Sequence, residues 1–157
     1  MRDPRVLIDP IDLARIPWPF SGTAHARFHH RGDNVARVLI VDDVEIVRKA
    51  LQVGVQKLGH EVEGASDPVE ALELARLNPP DLALVDFRMP GMDGVAFFDA
   101  MSHELGAKCP KVLFVSATPA DEVREKLLST GLVCSGFVKK PFHLEELWKT
   151  VAEALAT

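Results

Sequence analysis

Acidic, hydroxyl and basic side chains stand where four apolar runs of this 157-residue sequence end. In chain order they are Asp42, Asp43, Asp86, Ser116, Lys139 and Lys140. Three carboxylates crowded together repel one another by a few kcal/mol at an effective dielectric constant of about 20. One of them is then protonated, or a cation binds among them. If the fold brings these residues together, the sequence predicts a site for a hard cation.

A site of this kind supports phosphoryl transfer. Mg²⁺ takes one or two carboxylates, keeps several waters and leaves room for phosphate oxygens. A carboxylate can act as the nucleophile and form an acyl phosphate, while the cation and a lysine neutralise charge on the phosphoryl oxygens. Each residue alone also has an ordinary explanation, as a helix N-cap, a turn residue or a solvated pair. The prediction therefore depends on their meeting at one place.

Five short runs separate the chain into units from residue 36 onward, and each run is typical of a β-strand. Several are continuously apolar, which indicates strands covered on both faces, as in a parallel sheet. The predicted strands are residues 37–41, a weaker 60–64, 82–85, 112–115 and 135–138.

The stretches between and after the strands have helical character. In the first, Val47, Leu51, Val55 and Leu58 recur at helical spacing. The second predicted helix begins with the cap Asp67-Pro68, and the third begins at Asp93. The fourth runs from Thr118 to Gly131, and the fifth carries apolar residues from Leu144 to Leu155. Five strands alternating with five helices predict a doubly wound α/β domain with right-handed crossovers. The carboxyl ends of its strands are where ligands bind in such sheets.

Composition narrows the function classes. The net charge of −5 argues against a protein that binds nucleic acid directly. No apolar run reaches the length of a membrane helix, and no signal peptide precedes the domain, which predicts a cytoplasmic protein without membrane contact. Cys109 and Cys134 are far apart and form no CxxC pair, so we expect two free thiols near the amino ends of the last two strands.

Four blocks of sequence resemble the response-regulator receiver domain, the CheY-like family of two-component signalling. They are the pair Asp42-Asp43, the run DFRMPGMDG at 86–94, the step Ser116-Ala117, and the run FVKKPF at 137–142. The blocks match in order and spacing, over about residues 36–156. The resemblance implies a flavodoxin-like, five-stranded parallel sheet of order 2-1-3-4-5 with five helices. It also implies a phosphoacceptor response regulator.

The resemblance assigns a role to each site residue. Asp86 would accept the phosphoryl group, and Asp43 and Asp86 would bind Mg²⁺ directly. The backbone carbonyl of Arg88 would be a third ligand, and Asp42 would bind through water. Ser116 would bind the phosphoryl group through its hydroxyl. Lys140 would be the family lysine, followed by a cis bond to proline, whereas Lys139 would point elsewhere.

Three further positions follow from the same resemblance. Phe137 matches the aromatic switch position that reports movement of Ser116. Phenylalanine has no hydroxyl, so switching here would depend on packing alone. Arg88 and Thr118, each two positions beyond a site residue, match places that tune the lifetime of the acyl phosphate.

The implied function is acceptance of a phosphoryl group from a sensor histidine kinase or a histidine phosphotransfer protein. Phosphorylation would then change the surface of the fourth helix, fifth strand and fifth helix for an unknown downstream protein, and a homodimer is left open. The domain would be a signalling module rather than an enzyme, with self-catalysed transfer and autodephosphorylation. Two alternatives are an Mg²⁺-dependent phosphohydrolase and an interaction module without phosphorylation. Aspartyl phosphohydrolases commonly have a second acid two residues after the nucleophile, and Arg88 at that position argues against the first alternative.

We expect residues 1–35 to form an extension before the predicted receiver domain of residues 36–157, and we expect no output module after that domain. The chain would be a single-domain regulator or a receiver from something longer. Trp18 and Phe20 are large apolar residues that a disordered tail usually lacks. A mobile tail, a segment docked on the domain or on a second subunit, and a peptide for partner recognition all stay open. His25, His29 and His30 could hold a metal, but no cysteine or carboxylate cluster supports this.

Overall fold

A computed structural model describes residues 35–156 of the chain. Strands and helices alternate along this part of the chain. The elements are β1 (Arg37–Val41), α1 (Glu45–Gln56), β2 (Glu61–Ala65), α2 (Pro68–Leu77), β3 (Leu82–Val85), α3 (Gly94–Leu105), a 3₁₀ turn (Gly106–Lys108), β4 (Lys111–Ser116), α4 (Ala120–Leu128), β5 (Gly136–Lys139) and α5 (Leu144–Ala156).

All five strands are parallel, and their order in the sheet is β2-β1-β3-β4-β5. This confirms the predicted fold class and strand order. The three central strands are buried on both faces, which explains their continuous apolar runs. One face packs on α2, α3 and α4 through an aromatic-rich core that includes Phe97 and Phe114. The other face packs on α1 and α5 through a largely aliphatic core.

The two helices with an aspartate cap begin where the sequence predicts. The Asp67 carboxylate accepts from the backbone N–H of Glu70 at 2.9 Å, and the Asp93 carboxylate accepts from that of Ala96 at 2.8 Å. Each bond satisfies an N–H that has no partner inside its helix. The Asp93 cap matters for function because α3 begins directly after the loop that follows β3.

The predicted cap of α4 is wrong. The residue before the helix is Pro119, and no side chain caps it. The Thr118 hydroxyl instead accepts a hydrogen bond from Arg88, so it is occupied elsewhere. The predicted end at Gly131 is also wrong, because α4 ends at Leu128 and the following hydroxyls bond carbonyls of the last turn.

Helices α1 and α5 approach each other closely at one glycine. A Cβ on Gly54 would lie 3.0 Å from a methyl carbon of Leu144, so only glycine leaves this spacing unchanged. The indole N–H of Trp148, which is fully buried, donates to the Gly54 carbonyl at 2.7 Å. This bond gives the buried indole its polar partner and fixes the register of the two helices.

Strand β2 lies one residue later than predicted, because Ala65 pairs with Val41 and residue 60 precedes the strand. Among residues 35–156, no helix combines the length and apolarity needed to cross a membrane. The predictions for residues 1–34, including the histidine site, lie outside the described residues.

Candidate functional site

The carboxyl edge of the sheet brings the predicted acids and lysine together. Asp42 follows β1 and Asp86 follows β3, and these two strands are neighbours. The Lys140 ammonium nitrogen lies 2.6 Å from an Asp42 carboxylate oxygen and 3.3 Å from one of Asp86. The Asp42 side chain is 1 % exposed and that of Asp86 is 9 % exposed. One cation therefore sits between two buried anions.

Asp43 completes the acidic cluster from the exposed side. Oxygens of Asp42, Asp43 and Asp86 all lie within 4.8 Å of one another. Ligands around an octahedral Mg²⁺ at about 2.1 Å lie roughly 3–4 Å apart, so a small adjustment of side chains suffices. The donor set fits a hard divalent cation. Because Asp43 faces solvent, bound waters can fill the remaining positions.

Burial dominates the electrostatics of Asp86. It raises the pKa of this carboxyl above its usual value because the ionised form loses hydration. The Lys140 ammonium opposes that rise, the Asp42 charge adds to it, and hydrogen bonds from Lys140 and Ser116 oppose it. The carboxylate is thus a poorly hydrated anion surrounded by donors, which is what a nucleophile in this position needs.

The backbone around Asp42 is held by short contacts. The Val44 N–H donates to the Asp42 carboxylate at 2.9 Å, and the Arg48 guanidinium donates to the Asp42 carbonyl at 2.8 Å. These bonds fix one carboxylate oxygen and leave the other to Lys140. The sequence reasoning gave Arg48 no role, and its position off the apolar stripe of α1 was the only signal.

Ser116 ends β4 and is buried beside Asp86. Its hydroxyl hydrogen-bonds to the Asp86 carboxylate and accepts the backbone N–H of Thr118 at 3.2 Å. The Lys140 N–H donates to the Ser116 carbonyl at 3.0 Å, which ties the lysine to the same strand end. The Lys140–Pro141 peptide is cis, as the family resemblance implies.

Arg88 and Thr118 face each other across the site. The Arg88 Nε donates to the Thr118 hydroxyl at 3.1 Å, and a terminal nitrogen donates to the Glu122 carboxylate at 3.0 Å. The structure therefore brings the two predicted lifetime positions into direct contact. Glu122 is a third residue in this hydrogen-bonded group, and the sequence did not predict its role.

Phe137 lies between an aromatic ring and a cation. Its ring stacks on Phe114 with centroids 6.1 Å apart, and the Arg124 guanidinium lies 4.6 Å from its centroid. A cation over an aromatic face attracts the ring quadrupole. Arg124 on α4 thus contacts the predicted switch residue on β5. Lys139, by contrast, is exposed and apart from the acids.

Gly94 is a further site residue whose role the sequence reasoning did not identify. A Cβ at this first position of α3 would lie 2.5 Å from the Asp86 carbonyl oxygen, and its N–H donates to the Phe87 carbonyl at 2.7 Å. Only glycine permits the helix to approach the phosphoacceptor loop so closely. A glycine directly after the Asp93 cap, where helix propensity disfavours it, was the available signal.

Cys109 and Cys134 are both free, as predicted, and lie before β4 and β5. Burial raises the pKa of each thiol, which keeps both protonated near neutral pH. They belong to the opposite edge of the sheet from the acidic cluster.

The family model described as "Response regulator receiver domain" matches residues 38–152. Response regulator MprA of Mycobacterium sp. (strain KMS) is 34% identical over 111 residues, which cover 71% of this chain and 46% of that protein. The transcriptional regulatory protein PhoP of Escherichia coli (strain K12) is 33% identical over 112 residues, covering 71% and 48% respectively. The chain spans about half the length of the curated relatives it matches.

Solved structures give the same result. The Vibrio cholerae chemotaxis protein CheY4 is 32% identical with a TM-score of 0.70, and the match covers 76% of this chain and 98% of that one. A putative response regulator from Chloroflexus aurantiacus is 28% identical with a TM-score of 0.70, covering 78% and 99%. The chain therefore belongs to the response-regulator receiver family of two-component signalling.

Proposed function

We propose that Asp86 is the phosphoacceptor of this receiver and takes a phosphoryl group from a sensor histidine kinase or a histidine phosphotransfer protein. The observation that carries the proposal is the Lys140 ammonium placed between the buried carboxylates of Asp42 and Asp86. A carboxylate oxygen of Asp86 attacks phosphorus, the phosphorus–nitrogen bond of the phosphohistidine breaks, and the electron pair stays with the imidazole. Lys140 is positioned to neutralise charge on the transferred group.

The acidic cluster is proposed to hold Mg²⁺. Asp43 and Asp86 would bind it directly together with the backbone carbonyl of Arg88, and Asp42 would bind it through water. When bound, the cation neutralises charge on phosphoryl oxygens, as in other phosphoryl-transfer sites. The protein's own part is to keep Asp86 poorly hydrated and to place Lys140 beside it.

Phosphorylation replaces the single charge of the Asp86 carboxylate with an acyl phosphate that carries roughly two negative charges. Ser116 already contacts the Asp86 carboxylate, so its hydroxyl needs only to follow the new phosphoryl oxygens. Phe137, between Phe114 and Arg124, is the residue whose packing responds. The response is a population shift between two arrangements of the surface formed by α4, β5 and α5, which a downstream partner reads.

Incubation with Mg²⁺ and acetyl phosphate, followed by measurement of intact mass, tests this function. We expect the parent chain to gain one phosphoryl group and Asp86→Ala to gain none. Asp121→Asn, which removes an exposed carboxylate from α4, is the matched control and keeps the adduct. Chelation of the divalent cation prevents the gain.

The alternatives are separate outcomes of the same experiment. Rapid release of phosphate with turnover and no adduct would indicate a phosphohydrolase. Neither adduct nor release would indicate an interaction module without phosphorylation. Arg88 stands where a second acid is common in aspartyl phosphohydrolases, and its guanidinium is engaged with Thr118 and Glu122.

Cytoplasmic location, a homodimer and the identity of the downstream protein stay predictions of the sequence. The family itself is a signalling module rather than an enzyme with turnover of a separate substrate. Autodephosphorylation of Asp86 belongs to this proposal, and we expect Arg88→Asn to change the half-life of the adduct measured by mass.

A further inference from the structure

Hydrogen bonds connect the Ser116 hydroxyl to the first turn of α4. The Thr118 N–H donates to Ser116 Oγ at 3.2 Å, and the Thr118 hydroxyl accepts from Arg88 Nε at 3.1 Å. The Arg88 guanidinium also donates to Glu122 Oε2 at 3.0 Å. These contacts, which we call the Arg88 bridge, join the loops that follow β3 and β4, on either side of Asp86.

Glu122 differs from its neighbour on the same helix turn. Asp121 is also acidic and interacts with the helix N-terminus in the same way, but within residues 35–156 its carboxylate pairs with Arg124, three residues along α4. Glu122 reaches across to the loop after β3. Both acids interact favourably with the N-terminus of α4. Of the two, Glu122 is the one that contacts a residue of the site, Arg88.

The guanidinium of Arg88 is a planar fork that is fixed when two oxygens accept from it. With Thr118 and Glu122 both bound, the fork cannot pivot. When Glu122 is made neutral, its bond to Arg88 weakens, so Arg88 is held mainly by the Thr118 hydroxyl and can follow it. Glu122 therefore determines how firmly the loop that carries Thr118 is held.

We propose that Glu122 is a positioning residue that sets the rate at which Asp86 is phosphorylated, by locking Arg88 onto the Thr118 loop. This inference rests on the proposed function. When the Ser116 hydroxyl moves to the phosphoryl group, the N–H of Thr118 loses its acceptor and the loop shifts. The Arg88 bridge opposes that shift, so a chain without it reaches the competent arrangement more often.

The effect is modest because the pair is exposed. Side chains of Arg88 and Glu122 are 71% and 49% exposed, and exposed ion pairs contribute little. We expect a rate increase of about threefold when the pair is removed. Salt screens such pairs, so the difference should shrink as ionic strength rises.

The test is the rate of adduct formation by mass, with Mg²⁺ and acetyl phosphate at fixed concentrations. Glu122→Gln should be phosphorylated about threefold faster than the parent chain. Asp121→Asn removes the same charge from the same helix turn and should match the parent. In an Arg88→Ala background, Glu122→Gln should have no further effect, which a purely structural role of Glu122 would not produce.

Equal rates for the parent chain and Glu122→Gln overturn this inference alone. A gain that persists in the Arg88→Ala background also overturns it, because Glu122 would then act without Arg88. If the parent chain gains no phosphoryl group, the proposed function fails and the inference fails with it.

Discussion

Polar side chains at the two edges of the sheet have different bonding partners. At the amino edge, the Asp81 carboxylate accepts the backbone N–H of Arg37 at 2.7 Å. At the carboxyl edge, Asp42 and Asp86 share one ammonium group, that of Lys140. The first carboxylate satisfies the main chain, whereas the other two face a charged side chain that can also bind a ligand.

Two further side chains at the amino edge also bond the main chain. His60 Nδ1 accepts the Ala36 N–H at 3.1 Å, and the Lys111 ammonium donates to the Ala154 carbonyl at 2.9 Å. Buried backbone groups need such partners, so these bonds stabilise the fold. Residue type therefore does not distinguish a structural carboxylate from a functional one. The charged partner does: Asp42 also accepts a backbone N–H, that of Val44, but its other carboxylate oxygen faces the Lys140 ammonium that it shares with Asp86.

Gly94→Ala should give the largest effect, because it moves the backbone of the carboxyl edge itself. The new Cβ would lie 2.5 Å from the Asp86 carbonyl oxygen, so the phosphoacceptor loop has to shift. We expect the free energy of unfolding in urea to fall by about 3 kcal/mol and adduct formation to slow. Gly64→Ala is the control, because the three atoms nearest to its Cβ all belong to the flexible end of the Gln52 side chain. Equal losses for both variants would contradict this.

Asp81→Ala should give the next largest effect, and it should lower stability without affecting phosphorylation. It removes the acceptor for the Arg37 N–H, and we expect a loss of about 2 kcal/mol in unfolding free energy. Phosphorylation measured by mass should persist, since the carboxyl edge is untouched. A folded Asp81→Ala chain that accepts no phosphoryl group would erase the distinction between the edges.

Asp86→Asn should change the free energy of unfolding in the opposite direction and stabilise the fold. Burial raises the pKa of Asp86, so its ionised form costs folding free energy at pH 7. A neutral side chain of the same shape removes that cost, and we expect a gain of about 1 kcal/mol in unfolding free energy together with loss of the adduct. Asp121→Asn, at an exposed position, should leave stability unchanged. A destabilised Asp86→Asn would show that the carboxylate serves the fold.

The smallest effect concerns pH at the amino edge. Burial lowers the pKa of His60, and the Asp81 charge partly opposes this. The unfolded chain then binds the proton more readily, so stability is present above the unfolded pKa of about 6.5 and is lost as pH falls below it. His60→Asn keeps an acceptor for the Ala36 N–H but does not titrate. We expect the parent chain to lose stability relative to this variant between about pH 7 and 5, measured by urea unfolding. Parallel pH profiles would contradict this assignment.

The strands and the acidic cluster follow from sequence because they depend on local patterns and one topological rule. The apolar runs predict β1, β3 and β4 within one residue at each end, and parallel strands collect Asp42 and Asp86 at a common edge. No contact of a single side chain across loops is needed for that prediction.

The Arg88 bridge is different. Arg88 and Glu122 are 34 residues apart, and their contact depends on the conformation of two loops. The same contact explains why Thr118 does not cap α4, since its hydroxyl has a competing donor in Arg88. The tight approach of Gly94 to the Asp86 carbonyl is likewise a matter of packing distance. Sequence periodicity and capping rules describe local structure, so they predict neither the Arg88 bridge nor the close approach of Gly94.

Trp148 offers a practical consequence of the α1–α5 contact. Its indole is fully buried and hydrogen-bonded to the Gly54 carbonyl, and it is the one tryptophan within residues 35–156. An indole in these apolar surroundings emits at shorter wavelength than one in water. The chain thus carries an intrinsic fluorescent reporter on the face of the sheet opposite α4, suited to following unfolding of every variant above without an added label.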